Sequence, residues 1–175
     1  MATFCNQTLN GLGLTCDTSL GGIKEVYIAN YADVTAKTLD TESGEITAIE
    51  MADGTTFKQY AFRKQTGSMT STLTVDEANG VNYVTTELSL VFTKLETVKR
   101  LEMTALSQGQ LAVIVKDSNN KYWYLGYDDY VSTTAGTGET GTAKGDRNAY
   151  TLTLKDESDT YPYEITEEAV LAVIG

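Results

Sequence analysis

At 175 residues, with 41% hydrophobic and 21% charged residues, the chain can bury one sizeable core and has an ordinary globular composition. Its 24 acidic against 13 basic residues leave a formal net charge of −11. That argues against tight binding to nucleic acid or to an anionic membrane surface, since both need clustered Lys and Arg. There is no histidine, so catalytic dyads and triads with an imidazole base are excluded, as are the usual zinc hydrolase sites.

In chain order, residues 1–22 carry Asn, Thr, Gly and Ser with scattered leucines, among them Leu12 and Leu14, and no sustained periodicity. They read as an N-terminal arm that either wanders or is ordered by a partner. Nothing in its first residues combines the basic and apolar regions of a secretion signal, so synthesis in a cytosol is expected. In that compartment Cys5 and Cys16 read as free thiols before they read as a disulfide. Residues 23–175 are expected to form a single domain. Residues 23–29 read as the first strand and 30–44 as a polar connection. Residues 46–51 and 57–62, joined across Asp53-Gly54, read as a hairpin, because Asp-Gly suits the positive backbone angles of a tight turn.

From Met69 to Val75 apolar residues and serine alternate with Thr70, Thr72 and Thr74, which predicts a strand with a threonine-lined outer face. Residues 82–127 change period twice. Val84, Leu88, Leu90 and Phe92 fall on one side of a strand, with Thr85, Glu87, Ser89 and Thr93 on the other. The spacing then lengthens to three and four at Leu95, Val98, Leu101 and Ala105, predicting an amphipathic helix over about 95–107 that Gly109 ends. The strand 111–115, a turn at 117–120 and the aromatic strand Tyr122-Trp123-Tyr124-Leu125 follow.

Residues 132–148 are rich in Gly and Thr and read as a long loop, too polar to pack on itself and of a length usually functional or disordered. Residues 150–154 alternate again, and the apolar tail 169–174 closes the chain as a strand or short helical turn. That tail is the longest apolar run and falls far short of the roughly 20 residues a membrane span needs. With about eight strands and one substantial helix, the pattern predicts a mainly β fold: an antiparallel β-sandwich or barrel with one flanking α-helix.

Little in the chain carries chemistry. Gly136, Gly138 and Gly141 spell G-x-G-x-x-G, but no buried strand precedes them and no helix opens after them. Lys144 lacks the Gly-Lys-Ser/Thr adjacency of a phosphate loop. Asp128-Asp129 lacks the spacing of a calcium loop and reads as solvated turn acids. The aromatic triplet Tyr122-Trp123-Tyr124 reads as packing before it reads as a sugar-stacking platform. No catalytic residue, metal or cofactor is expected.

The segments 23–29, 85–106 and 111–125, together with GTGETGTAKGDRNAYTLTL at 136–154, resemble the major tail tube proteins of long-tailed bacteriophages. The resemblance implies a sandwich or barrel flanked by one helix, subunits joined side by side into rings, commonly hexameric, and inner strands forming a continuous barrel. It also implies rings stacked through loops and termini. Carried onto this chain, Thr70, Thr72, Thr74, Thr85, Glu87 and Ser89 become candidates for the lumen or for strand pairing between subunits. Thr133, Gly136, Gly138, Thr140, Gly141, Lys144, Asn148, Leu12 and Leu14 become candidates for subunit contacts. The implied location is the virion tail after synthesis in the host cytoplasm. The implied partners are further copies of the chain and other tail and head–tail proteins, with DNA as non-adhesive cargo and no membrane. A head decoration or head–tail joining protein is the alternative, followed by a carbohydrate-binding β-sandwich module; an enzyme ranks last.

Overall fold

The computed structural model describes residues 9–175, so Cys5 and any pairing with it lie outside the described residues, while Cys16 is exposed. The strands are β1 (Ile23–Asn30), β2 (Val34–Leu39), β3 (Ile46–Met51), β4 (Lys58–Gln59), β5 (Ser68–Asp76) and β6 (Val81–Thr93). After helix α1 (Thr97–Gln108) come β7 (Leu111–Asp117), β8 (Tyr122–Leu125), β9 (Ser132–Glu139), β10 (Ala149–Ser158), β11 (Tyr163–Ile165) and helix α2 (Glu167–Val173). They make two sheets, seven strands in the order β2-β3-β11-β8-β7-β1-β4 and four in the order β5-β6-β10-β9. Every pairing of strands is antiparallel except β3 with β11. Neither sheet closes on itself, so the fold is a sandwich with a flanking helix and not a barrel.

The central strands of the seven-stranded sheet, β1, β7 and β8, are buried on both faces. In β7, Leu111, Val113 and Val115 point into the space between the sheets, while Ala112 and Ile114 point the other way. The two directions explain why β7 reads as an unbroken apolar run instead of alternating. β1 does the same with Val26 and Ile28 against Tyr27 and Ala29, and β8 with Leu125 against Tyr122 and Tyr124. Between the sheets these side chains meet Leu88, Leu90 and Phe92 of β6 and Leu152 and Leu154 of β10. On the far side they meet Ala169, Val170 and Val173 of α2, with Phe57 fully buried among them. Thr166 caps α2 by accepting from the Ala169 N–H, and Glu167 and Glu168 sit favourably in its first turn.

The four-stranded sheet buries one face, while the other is open except at its end near Val91 and Ala149, which are buried. Pairing sets Met69 opposite Leu88 and Leu73 opposite Val84 inward, and Thr70 opposite Glu87 and Thr72 opposite Thr85 outward, as the period of two requires.

Several expectations are corrected. Residues 46–51 and 57–62 do not form a hairpin: the turn at Gly54 exists, with φ +78, but β3 pairs with β2 and β11 while β4 pairs with β1. The connection 30–44 contains a 3-10 turn (Tyr31–Asp33) and β2, whose VTAKTL is largely polar because only part of it is covered. Among the described residues there are eleven strands instead of about eight, and the apolar tail, expected as a strand or short helical turn, lies in the seven-residue helix α2.

The helix near 95–107 is present as Thr97–Gln108, but its apolar stripe faces outward. Val98 is 76% and Leu101 57% exposed, while Leu106 is buried and Met103 half-buried on the adjacent face. Ties on that adjacent side fix the rotation: Thr133 Oγ1 donates to the Leu106 carbonyl and Lys99 Nζ to the Thr93 carbonyl.

The Gly/Thr loop is also shorter than expected. Residues 132–139 are strand β9, paired with β10 from Ala149 opposite Glu139 to Lys155 opposite Ser132, with a bulge near Thr153. β9 has no large apolar side chain to announce it; β10 supplies the template. Gly138 is required by packing, since a Cβ there would lie 2.9 Å from the Tyr150 ring, whereas at Gly136 the nearest atom would be 3.7 Å away. Gly138→Ala should therefore destabilise the fold by about 1–2 kcal/mol through overpacking. Gly136→Ala should be neutral or stabilising by up to about 1 kcal/mol through the unfolded state. Urea denaturation of the two variants checks this, and equal effects would refute the contact between Gly138 and the Tyr150 ring.

Candidate assembly surfaces

The outer face of the four-stranded sheet collects all six residues expected to share a surface. Thr70 lies opposite Glu87, Thr72 opposite Thr85 and Ser68 opposite Ser89. Thr74 continues the row opposite Tyr83. β10 extends the face with Thr153, Lys155 and Glu157, which pair across to Ser89, Glu87 and Thr85. The surface is mostly hydroxyl, and its single β10 cation is engaged by Glu157 at 2.6 Å. The sheet ends on both sides in unpaired edges, β5 with nine residues and β9 with eight. Such edges present rows of free N–H and C=O groups that a monomer normally blunts.

The β5–β6 hairpin also outruns the core. Leu73, Val75, Val81 and Tyr83 are 46, 55, 44 and 38% exposed, so apolar side chains stand on both faces of its tip. Its turn is well formed, with Asp76 Oδ1 accepting from the Ala78 and Asn79 N–H groups and Gly80 at φ +65. This apolar tip was not singled out in the sequence. Alternation alone gives Leu73 and Val75 the same signature as buried strand residues.

The nine contact candidates fall in different places. Thr140, Gly141 and Lys144 occupy an exposed loop that is organised, not loose: Asp146 Oδ2 accepts from the Thr142 and Ala143 N–H groups at 2.7 Å. Those two bonds hold the Asp146 carboxyl below its usual range. Gly141 takes the left-handed backbone, φ +69. Asn148 works internally, its Oδ1 accepting from Leu95 N–H and its carbonyl from Lys94 N–H. Thr133, Gly136 and Gly138 belong to β9, with the Thr133 hydroxyl on the end of α1. Leu12 and Leu14 are fully exposed, and the base of their arm is pinned where Asn119 exchanges hydrogen bonds with the backbone of Leu20.

The aromatic triplet is not a platform. Tyr122 and Tyr124 are buried toward α2, while Trp123 points to the opposite face and donates Nε1–H to Asp117. Among the described residues, no three acidic or cysteine side chains converge to hold a metal ion.

Titratable groups concentrate beside Lys37. Its ammonium donates to the Tyr127 carbonyl at 2.6 Å and lies 5.1 Å from the ring centroids of both Tyr31 and Tyr127. Burial lowers its pKa, opposed by Asp128 and Asp156. Asp156 is only 5% exposed, with one carboxylate oxygen unpartnered. Burial pushes its carboxyl up, helped by the Asp128 and Asp129 carboxylates and opposed by the Gly126 and Glu157 N–H groups. Tyr124, raised chiefly by burial, faces the same space with its hydroxyl also unpartnered.

No protein-family model matches the chain, and neither a curated protein nor a solved structure matches it.

Asp156 gives a signed prediction. A carboxyl held above its unfolded value of about 4 costs stability once ionised, so its contribution declines as pH rises through and beyond that value. Asp156→Asn should raise the melting temperature at pH 7, and the gain should shrink toward zero on acidification below about pH 4. Lys37, Tyr124, Asp128 and Asp129 surround the group, and a pH-independent gain would mean that the cost does not come from the Asp156 charge.

Proposed function

We propose that this chain is a structural virion protein that assembles into stacked rings as the tail tube of a long-tailed bacteriophage, a conduit for DNA delivery. The observation that carries the reading is the four-stranded sheet, which has one buried face, one hydroxyl-lined face and two long free edges. Pairing β5 of one copy with β9 of the next would continue that sheet around a ring and satisfy both edges at once. The exposed hairpin tip and α1 stripe give such a ring further apolar surface to bury.

The outer face then lines the channel. It offers hydroxyls, Glu87 and Glu157, and a lysine already engaged. DNA gains affinity by releasing counterions to clustered cations, and this surface supplies none, which suits cargo that must slide.

Negative-stain electron microscopy of the purified chain across protein and salt concentration tests the reading. Hollow tubes or stacked rings are expected, favoured by salt because screening weakens repulsion between subunits of net charge −11. A monodisperse monomer under every condition would shift the assignment to a head decoration or joining protein. Tubes carrying Glu87→Lys with Glu157→Lys should retain added DNA that wild-type tubes release; equal release would remove these residues from the lumen.

A further inference from the structure

The dipeptide Asn-Gly occurs twice, at Asn10-Gly11 and at Asn79-Gly80. Asparagine is thermolabile, most of all before glycine, which has no Cβ to keep its nitrogen away from the preceding side-chain amide. The two sites are alike in most respects. Both asparagines are exposed, and both glycines take the left-handed backbone, φ +73 at Gly11 and +65 at Gly80. A Cβ added to either glycine would meet nothing within 4 Å, so packing shields neither nitrogen.

They differ in what holds the asparagine. Asn79 sits in the turn between β5 and β6, whose ends are pinned by the pairing of Asp76 with Val81. Asp76 grips it twice: Oδ2 accepts from the Asn79 side-chain amide at 2.6 Å, and Oδ1 from the Asn79 backbone N–H at 3.2 Å. The side-chain bond is also the chief reason that the Asp76 carboxyl lies below its usual range, so the charged clamp is in place at neutral pH. Asn10 lies outside any strand, helix or turn, and among the described residues no hydrogen bond ties its side chain. For the side-chain carbon to reach the next nitrogen, the amide must swing and the backbone must turn beside it. Asn79 can do neither without breaking its bonds to Asp76.

We propose that Asn10 is a site of spontaneous deamidation and that the Asp76 clamp spares Asn79. The Gly11 backbone nitrogen gives its proton to solvent base and attacks Cγ of Asn10. The new C–N bond closes a five-membered succinimide; the Cγ–Nδ2 bond breaks, and the nitrogen leaves as ammonia with a proton from water. Water then opens the ring. Addition at Cγ restores a normal backbone as aspartate, and addition at the main-chain carbonyl leaves the chain linked through Cγ as isoaspartate. Nothing is oxidised or reduced. The product places a carboxylate in the uncharged stretch LNGLGLTC and carries the chain one unit beyond its net charge of −11. The arm therefore gains charge with time while the apolar hairpin tip keeps its amide. This chemistry does not depend on the assembly reading.

Full-length protein is held at mildly alkaline pH and sampled over time by peptide mass mapping and by enzymatic methylation of isoaspartate. Asn10 should convert at least about tenfold faster than Asn79, the factor expected from one to two net hydrogen bonds. In guanidinium chloride, where turn and clamp are gone, the two rates should converge. Asp76→Ser keeps a hydroxyl that can accept from the turn N–H groups but lacks the second oxygen for the Asn79 amide. It should speed conversion of Asn79 at least about fivefold and leave Asn10 unchanged, with an unaltered melting temperature showing an intact fold.

Equal rates at the two sites in the folded protein would overturn the proposal, as would no product at Asn10. A difference that persists in denaturant would do the same, because it would assign the gap to neighbouring residues instead of the clamp. Conversion of Asn79 at its original rate in the folded Asp76→Ser protein would remove Asp76 as its protector.

Discussion

Burial of β1, β7 and β8 on both faces is the constraint from which the architecture follows. A strand covered on two sides needs two separate layers to cover it, and the chain provides α2 with Phe57 on one side and the four-stranded sheet on the other. Each buried Val, Leu or Ile contributes roughly 1.5–3 kcal/mol relative to exposure, so the doubly covered strands concentrate stability at the centre. The covering layers meet the core with one face each. That asymmetry leaves the outer face of the four-stranded sheet free to be polar and its edges free to be unpaired.

The polar outer face and the free edges are separate consequences with different meanings. A hydroxyl-rich exposed face is what any half-buried antiparallel sheet shows. Long unpaired edges are not, because a monomer normally shortens, bulges or charges them. β5 carries no charge between Ser68 and Val75, and β9, although bulged at Thr134, carries none before Glu139. Together with apolar side chains on both faces of the hairpin tip, those edges favour a chain whose surface is completed by neighbours. On the assembly reading proposed above, the acidic balance would act at longer range, keeping separated copies apart until screening or local pairing outweighs it.

How much of this could be read in the sequence depends on what each segment uses for its stability. β6, β7, β8 and β10 advertise themselves by side-chain pattern, because their side chains make the core. β2 and β9 do not, since their stability comes from the strand beside them: VTAKTL and STTAGTGE gain backbone pairing and little burial. A rule that reads Gly and Thr as loop fails there for a physical reason. α1 fails differently. Val98, Leu101 and Ala105 make a sound amphipathic stripe, yet Thr133 and Lys99 hold the helix with that stripe to solvent. Periodicity identifies an apolar face without saying whether its partner lies in the same chain. The outer-face residues from Thr70 to Ser89 were legible because register follows from a period of two. The contact candidates were less so, since Asn148 and Thr133 turn out to hold their own chain together.

Gly136 and Gly138 show how these levels connect. Two glycines inside a strand weaken it, through greater entropy in the unfolded chain and the loss of side chains to pack. Only Gly138 has a local steric reason to be glycine, since a methyl group there meets Tyr150; Gly136 has room. A strand adapted for its own stability would carry a β-branched residue at the second position. The same side of the sandwich carries a helix that turns its apolar stripe outward. In a solitary domain these are two unrelated defects: a weakened strand and a misdirected helix face. On the assembly reading proposed above, a neighbour would pair with the strand and cover the helix face.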